Sequence, residues 1–319
     1  MRRTTSKPQA SGELALIQRI RDSARTRNNA VRLGIGDDCA VLRLRPSEEM
    51  LVTTDFCLEG RHFRRDWHSA ESAGHRCLTR GLSDVAAMGG RPIAAFLSLA
   101  LPSDFDPDWL DGFLRGFQGL AQQYGVELAG GDTAQSPGAE ILADVMVVGA
   151  VRRGCALLRG GARPGDGLYV TGTLGGSVVE LEAMRLGARR PERGPQSFPQ
   201  ARVDVGRNLV GIASACMDLS DGLSSDLQHL CKASGVAAEL DAAAIPLGAG
   251  ATLEQALHGG EDYELLFSAA GRVPRRSAGV AITRIGSIVA GEGVRLDGAE
   301  LRAGGWEHLT PRVQGSMAL

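Results

Sequence analysis

The sequence predicts a chain of two mixed α/β units, and three observations predict it. The 319 residues suffice for two domains of roughly 150 residues, each with its own core. Apolar runs of strand character alternate with amphipathic helical segments in both halves, the pattern that folds into layers of helix on sheet. The alternation breaks near Arg152 to Gly154. A turn, a strand, a Gly-rich turn and a helix then begin afresh, which divides the chain into units 1–152 and 153–319.

In chain order, Ser11 to Arg21 is expected as a short helix, with Ser11 as the cap before ELALIQRI. VRLGIGDDCAVLRL is strand-like on both sides of a Gly-Asp turn, and Met50 to Thr54 is a β-rich run that ends at Asp55. Ala70 to Met88 is helical, with Leu78, Leu82 and Val85 on one face and Gly89-Gly90 as the stop. Ile93 to Leu101 is a buried strand. Pro107 to Tyr124 is an amphipathic helix, because Trp109, Phe113, Phe117, Leu120 and Tyr124 recur at three- and four-residue steps. Pro107 suits its first turn and Gly125 ends it. Val126 to Ala129 and Ile141 to Val151 read as strands. In the second unit, Gly172 to Ser177 follows a strand and opens a helix, a phosphate-compatible turn that serves equally as a plain helix start. Gly187 to Gln200, rich in Arg, Pro and Gly, is expected as a surface loop. Helices fit Arg202 to Ala213 and Leu223 to Ala233, and ITRIGSIV with VRLDG reads as a hairpin around a GEG turn.

Composition narrows the function classes. Hydrophobic residues make up 43%, charged residues 23%, and formal net charge is −2, so nothing favours a nucleic-acid or anionic-membrane surface. The basic N-terminus is not followed by an apolar h-region, as a secretory signal would be, and no apolar run is long enough to span a bilayer. The six cysteines lie far apart with no CxxC pair, which favours reduced thiols and a cytoplasmic location. Lys7 and Lys232 are the only lysines, and neither follows a Gly as the Lys of a phosphate-binding P-loop must. Any bound nucleotide has to be held by other means.

Aspartates are candidates for that role. Asp37-Asp38 in GIGDD, Asp55 in TTD, Asp84 in LSD, Asp132 in GGDT, and Asp218 and Asp221 in DLSDG stand in small-residue settings where apolar segments begin or end. Each alone reads as a turn or cap residue. Jointly they can collect at one sheet edge, where crowded carboxylates require cations. Short, hard oxygen ligands suit Mg²⁺ bridging to phosphates.

These segments resemble the thiamine-monophosphate kinase family, in the superfamily of aminoimidazole ribonucleotide synthetase and selenophosphate synthetase. GELALIQRIR, LGIGDDCAVL, TTDFCLEGRHF, LSDVAAMGGRP, GGDT, LLRGGARPGDGLYVTGTLGGS, DLSDGLSSDL, HGGEDYELLF and the terminal GGWEHL follow the family order from residue 12 to residue 309. The resemblance implies an N-terminal α/β domain that dimerises through its sheet, a C-terminal α+β domain, and transfer of the γ-phosphoryl of ATP to thiamine monophosphate with several Mg²⁺ ions. It implies metal ligation by Asp38, Thr53, Thr54, Asp55, Asp84, Asp132 and Asp218, with Asp221 on a further ion. It implies ATP contacts from Gly131, Asp132, Arg159 and Ser220, and thiamine-phosphate contacts from His62, Glu261 and Trp306. Asp38, Asp84, Asp132 and Arg159 would then carry the chemistry, by neutralising and aligning two anions rather than by general-base catalysis.

The chain departs from the family at a few positions. Gly81 stands where Asn usually precedes LSD, Arg80 replaces a small or apolar residue, Ala134-Gln135 stand where Thr-Arg often follows GGDT, and Trp306 stands where Tyr is common. The alternative reading is a non-catalytic or different-substrate ATP-binding homologue of the same superfamily. A metal-dependent phosphatase is a third.

Overall fold

The computed structural model describes residues 13–187 and 194–306. Ser11 and the residues of GGWEHL after Trp306 therefore lie outside the described residues. Helix α1 (Glu13–Ser23) and the short pair β1 (Val31–Leu33) and β2 (Val41–Leu42) precede strand β3 (Glu48–Leu58). Helix α2 (Ala70–Ala87), β4 (Arg91–Leu101), α3 (Pro107–Tyr124), β5 (Glu127–Gln135) and β6 (Leu142–Arg152) follow. Helix boundaries are set by local chemistry. Ser69 caps α2 by accepting from the Ser72 amide, Asp106 caps α3 ahead of Pro107, and Gly125 ends α3 in left-handed backbone.

Strands β3, β6, β4 and β5 form one sheet in that order, antiparallel except for the parallel β4–β5 pair. Its inner face is covered by α2, and α3 packs on α2. The helices approach until backbone meets backbone: a Cβ on Gly74 would fall 1.9 Å from the Phe113 carbonyl oxygen, and one on Gly116 equally close to that of Glu71. The segment 30–44 covers part of the outer face, over Ala94, Ala129 and Ala150, while Met50, Val52 and Phe56 are all more than half exposed there.

The second sheet is built from β7 (Gly167–Thr171), β8 (Ala215–Asp218), β9 (Ala237–Leu240), β10 (Leu265–Ala269), β11 (Arg276–Ser277), β12 (Val280–Val289), β13 (Val294–Leu296) and β14 (Ala299–Glu300). Their order is β14-β13-β9-β12-β7-β10-β8, with β11 pairing antiparallel with the first residues of β12. Around them lie α4 (Gly176–Arg185), α5 (Val203–Leu209), α6 (Leu223–Ser234) and α7 (Leu253–His258). The expected hairpin of β12 and β13 does not form. Strand β9 lies between them, antiparallel to β12 and parallel to β13. Gly286 permits this, since any Cβ there would strike the Glu239 carbonyl at 2.1 Å. The expected helix Arg202 to Ala213 is shorter, closing at Leu209.

The expected surface loop is also corrected where it is described. Gln196 and Ser197 are buried, because the Glu180 carboxylate accepts from both of their amides. The segment then runs along α2 as a strap: Ser72 donates to the Ser197 carbonyl, and His75 Nε2 lies 2.7 Å from the Pro199 oxygen. One apolar cluster runs from Leu97 and Val147 of the first sheet, through Leu78 and Leu82 of α2, to Leu265 and Phe267 of the second. Helix α2 is thus the shared middle layer, and its exposed ends of side chains meet the cavity between the halves.

Candidate active site

The cavity, about 460 Å³, is lined from both halves by β3, α2, α4, α7, the loop after β8 and the segment 304–306. Its acidic end is assembled by three elements. Asp55 lies in the inward-facing row of β3, between Thr53 and the fully buried Cys57, Asp84 lies in the last turn of α2, and Asp218 ends β8. Thr53, two residues before Asp55 and so on the same face, donates to Asp84. Ser83 donates to Asp218 at 2.7 Å. Burial, then repulsion from Asp84, pushes the Asp55 carboxyl up to about 7, with Arg80 opposing. Burial and Asp84 push Asp218 up to about 6, although Ser83 and the nearby Arg159 favour its charged form. Crowded carboxylates held this way lack cationic charge.

The opposite end is cationic. Arg76, Arg80 and Asp84 follow one another at four-residue steps and so share a face of α2. Arg76 is fully buried, donates to the His62 carbonyl from two nitrogens (3.1 and 2.8 Å) and to the Gln196 carbonyl, and pairs with Glu261 at 2.6 Å. Arg80 donates to the Tyr263 hydroxyl at 2.9 Å and to Glu261 at 3.4 Å. Burial works to raise the Glu261 carboxyl, yet Arg76 and Arg80 hold it down at about 2. His62 Nδ1 accepts from the Leu58 amide at 2.9 Å, which leaves its proton on Nε2. Trp306 stands at the rim, its amide donating to the Asp221 carbonyl at 3.0 Å.

Of the residues singled out in the sequence, His62, Asp55, Asp84, Asp218, Ser220, Asp221, Glu261 and Trp306 line this one cavity. Thr53 joins through Asp84. Thr54 points to the outer sheet face and donates to Asp144 at 2.8 Å. Asp132 and Gly131 lie on β5, where register aligns Phe56 with Asp144, Asp144 with Ser98 and Ser98 with Asp132. Asp38 sits in an exposed loop, its amide bonded to the Asp37 carboxylate. Thr54, Gly131, Asp132, Asp38 and Arg159 do not line the cavity. Among the described residues, no three carboxylate, imidazole or thiolate side chains come together as a ready metal cage.

Several functional contacts were not singled out from sequence. Asp226 accepts from the amides of Ser220, Asp221 and Gly222, each at 3.1 Å, and so sets the loop that carries Asp221. Its signal was an acid in the first turn of a helix. Asp144, Tyr263 and the Arg76–Glu261 pair carry no local signal.

The N-terminal domain of AIR synthase related proteins matches residues 36–151 and the C-terminal domain of the same proteins matches residues 163–298. Fold and acid-lined cavity together place the chain among the AIR synthase related proteins. The thiamine-monophosphate kinase of Salmonella typhimurium is 38% identical over 294 residues, covering 88% of each chain. The crystal structure of thiamine-monophosphate kinase from Stenotrophomonas maltophilia superposes with a TM-score of 0.79 at 38% identity, covering 91% of this chain and 98% of that one. A structure described as AaThiL complexed with AMPPCP and TMP gives a TM-score of 0.76 at 33% identity, covering 96% and 100%. The chain belongs to the thiamine-monophosphate kinase family.

Proposed function

We propose that this chain transfers the γ-phosphoryl group of ATP to the phosphate of thiamine monophosphate. The observation that carries the reading is one cavity with an acid-rich end, at Asp55, Asp84 and Asp218, and a rim holding Trp306 and His62 near Glu261. An acceptor phosphate oxygen attacks Pγ, a P–O bond forms, and the bond from Pγ to the departing ADP oxygen breaks. That oxygen is ionised near neutral pH, so no strong base is needed. What the site must do is hold two anions in line.

The acid end fits magnesium. Its donors are hard oxygens, and the raised carboxyls of Asp55 and Asp218 mark a place short of positive charge. Magnesium is commonly held by one or two carboxylates with the rest of its shell from phosphates and water, so a site without a three-acid cage suits it. Asp55, Asp84, Asp218, Thr53 and Asp221 would hold ions within the cavity, whereas Thr54, Asp38 and Asp132, which lie outside it, would serve ions at the outer sheet face and the GIGDD loop. Bound magnesium would neutralise phosphate oxygens and fix their orientation. Arg159, close enough to favour the charged form of Asp218, and Ser220 and Gly131 would contact ATP. Trp306 would stack on the cationic thiazolium ring, with His62 and Glu261 completing the acceptor end. We further place the chain in the cytoplasm, on its six unpaired cysteines; no described helix is long and apolar enough to cross a membrane.

The test is purified protein with MgATP and thiamine monophosphate, products separated by chromatography. Thiamine diphosphate and ADP in equal amounts are expected. Nucleotide binding without turnover would favour a non-catalytic homologue, and release of inorganic phosphate from thiamine monophosphate without ATP would favour a phosphatase.

A further inference from the structure

Arg80 lines the cavity between the acids and the rim. Its two neighbours on the same face of α2 have settled roles. Arg76 is saturated by two carbonyls and Glu261, and Asp84 belongs to the acid end. Arg80 is not saturated. A guanidinium carries five N–H donors. Arg80 spends one on the Tyr263 hydroxyl at 2.9 Å and one on a long contact to Glu261 at 3.4 Å. Its Nε is buried with no acceptor. Asp55 is its other carboxylate neighbour, at 3.7 Å, beyond hydrogen-bond reach.

A guanidinium whose task was to neutralise Asp55 would fork onto it at hydrogen-bond distance. Glu261, for its part, already has a full ion pair with Arg76 at 2.6 Å. Arg80 is therefore a guanidinium of the site with no carboxylate closer than 3.4 Å, held in place by Tyr263 with donor capacity unspent. Tyr263 in turn adopts left-handed backbone, φ 52°, a conformation that costs a non-glycine residue free energy and persists where its surroundings enforce it. Planar, multidentate donors of this kind match phosphate oxygens.

We propose that Arg80 contacts the acceptor, its guanidinium holding the phosphate of thiamine monophosphate at the junction of the acid end and the Trp306 rim. The inference rests on the proposed reaction and adds a specificity element to it. The phosphate contact, supplied by the chain, makes the site select the phosphorylated over the unphosphorylated vitamin. Side-chain exposure of 15% for Arg80 leaves the contact partly sheltered from water, where charge-assisted hydrogen bonds are strongest.

The experiment measures binding of thiamine monophosphate and of thiamine by calorimetry, in magnesium, for wild type, Arg80→Gln, Arg80→Lys and Tyr263→Phe, with KM for both substrates alongside. Wild type is expected to prefer the monophosphate. Arg80→Gln should lose that preference by at least ~10-fold, the cost of about one charged hydrogen bond. The loss should come from weaker monophosphate binding, with thiamine binding and KM for MgATP within about twofold. Arg80→Lys should keep part of the preference, and Tyr263→Phe, which removes only the hydroxyl that orients Arg80, should lose a smaller part. An unchanged preference in Arg80→Gln overturns the proposal, as does a rise in KM for MgATP alone. If circular dichroism shows Arg80→Gln unfolded, an unchanged preference in Tyr263→Phe and Arg80→Lys overturns it. Absence of thiamine diphosphate formation by wild type would overturn the proposed reaction instead, and the binding preference is read independently of turnover.

Discussion

Glu261 takes left-handed backbone with φ 62°, a conformation costing a non-glycine residue about 1–3 kcal/mol, and it is held there by two arginines from one helix. Its charge is a stabilising feature above its unfolded pKa. The acids of the cavity's acidic end act in the opposite sense, as do Asp226 under the Asp221 loop and Asp262, which accepts from the Gly175 amide. Asp55 and Asp262 are pushed up to about 7, Asp218 to about 6 and Asp226 to about 8, each by burial first. The folded chain holds protons there that the unfolded chain, with carboxyls near 4, releases. In chelator, the melting temperature is therefore expected to fall as pH rises from about 4 to about 8, and magnesium at pH 8 should recover part of the loss. A melting temperature that climbs between pH 5 and pH 8 would contradict these environments. Asp84→Asn should stay folded, because Asn retains size and hydrogen bonding, yet lose at least ~100-fold in turnover and much of the stabilisation by MgATP. Asp38→Asn tests the exposed GIGDD loop in the same way. Loss of turnover is expected there too, and wild-type rates in both variants would return these acids to turn and cap roles. Trp306→Ala should raise KM for thiamine monophosphate up to ~30-fold, since a cation over an indole contributes about 0.5–2 kcal/mol; a change confined to KM for MgATP would remove Trp306 from the acceptor end. Asp55, Asp84, Asp218, Asp221 and Trp306, which line the cavity, could be picked out in the sequence because each stands in a recognisable short motif, and the same signal also picked out Asp38 and Asp132, which lie outside it. Arg80, Tyr263 and Asp144 could not be picked out, since their contacts depend on strand register and helix face across up to 183 residues.

Helix α2 organises the site as an element. Its span from Ala70, the amphipathic span of α3 and the β-rich runs of the first sheet could be read from periodicity and caps. The strand pairing of β13 could not, because a Gly-rich turn favours a local hairpin and says nothing of a third strand inserted from 40 or more residues earlier. Strap residues Gln196 and Ser197 look like loop by composition, and only the buried Glu180 carboxylate reveals that they are packed. The element makes its own prediction. Gly74→Ala forces a methyl onto the Phe113 carbonyl and must separate α2 from α3, so a loss of about 1–3 kcal/mol is expected in denaturant unfolding. Activity should fall with it, as the Arg76–Arg80–Asp84 face tilts. A Gly74→Ala variant as stable as wild type would mean the helices have slack that the backbone contact denies.

At the scale of the molecule, the open part of the first sheet's outer face carries Met50 at 52%, Val52 at 57% and Phe56 at 63% exposure. A row of this kind on a sheet whose other face is packed calls for a cover, and we expect a second copy of the chain to provide it, giving a homodimer. Light scattering at micromolar concentration should show the dimer mass for wild type and the monomer mass for Val52→Glu with Phe56→Glu. A monomeric wild type would dismiss the expectation. The same expectation comes from strands more apolar than one half-buried sheet needs, and the sequence reading divides the chain near Arg152, where β6 closes the first sheet. It could not show how the two parts are joined: a single apolar cluster passes from Leu97 through Leu82 to Phe267. That continuity ties the two halves to one reserve of tolerance. A drifting substitution at Phe267 or Leu265 draws on the same margin as one at Leu97, so neither half can accumulate changes independently of the other, and improvements in one would license new variation in its neighbour.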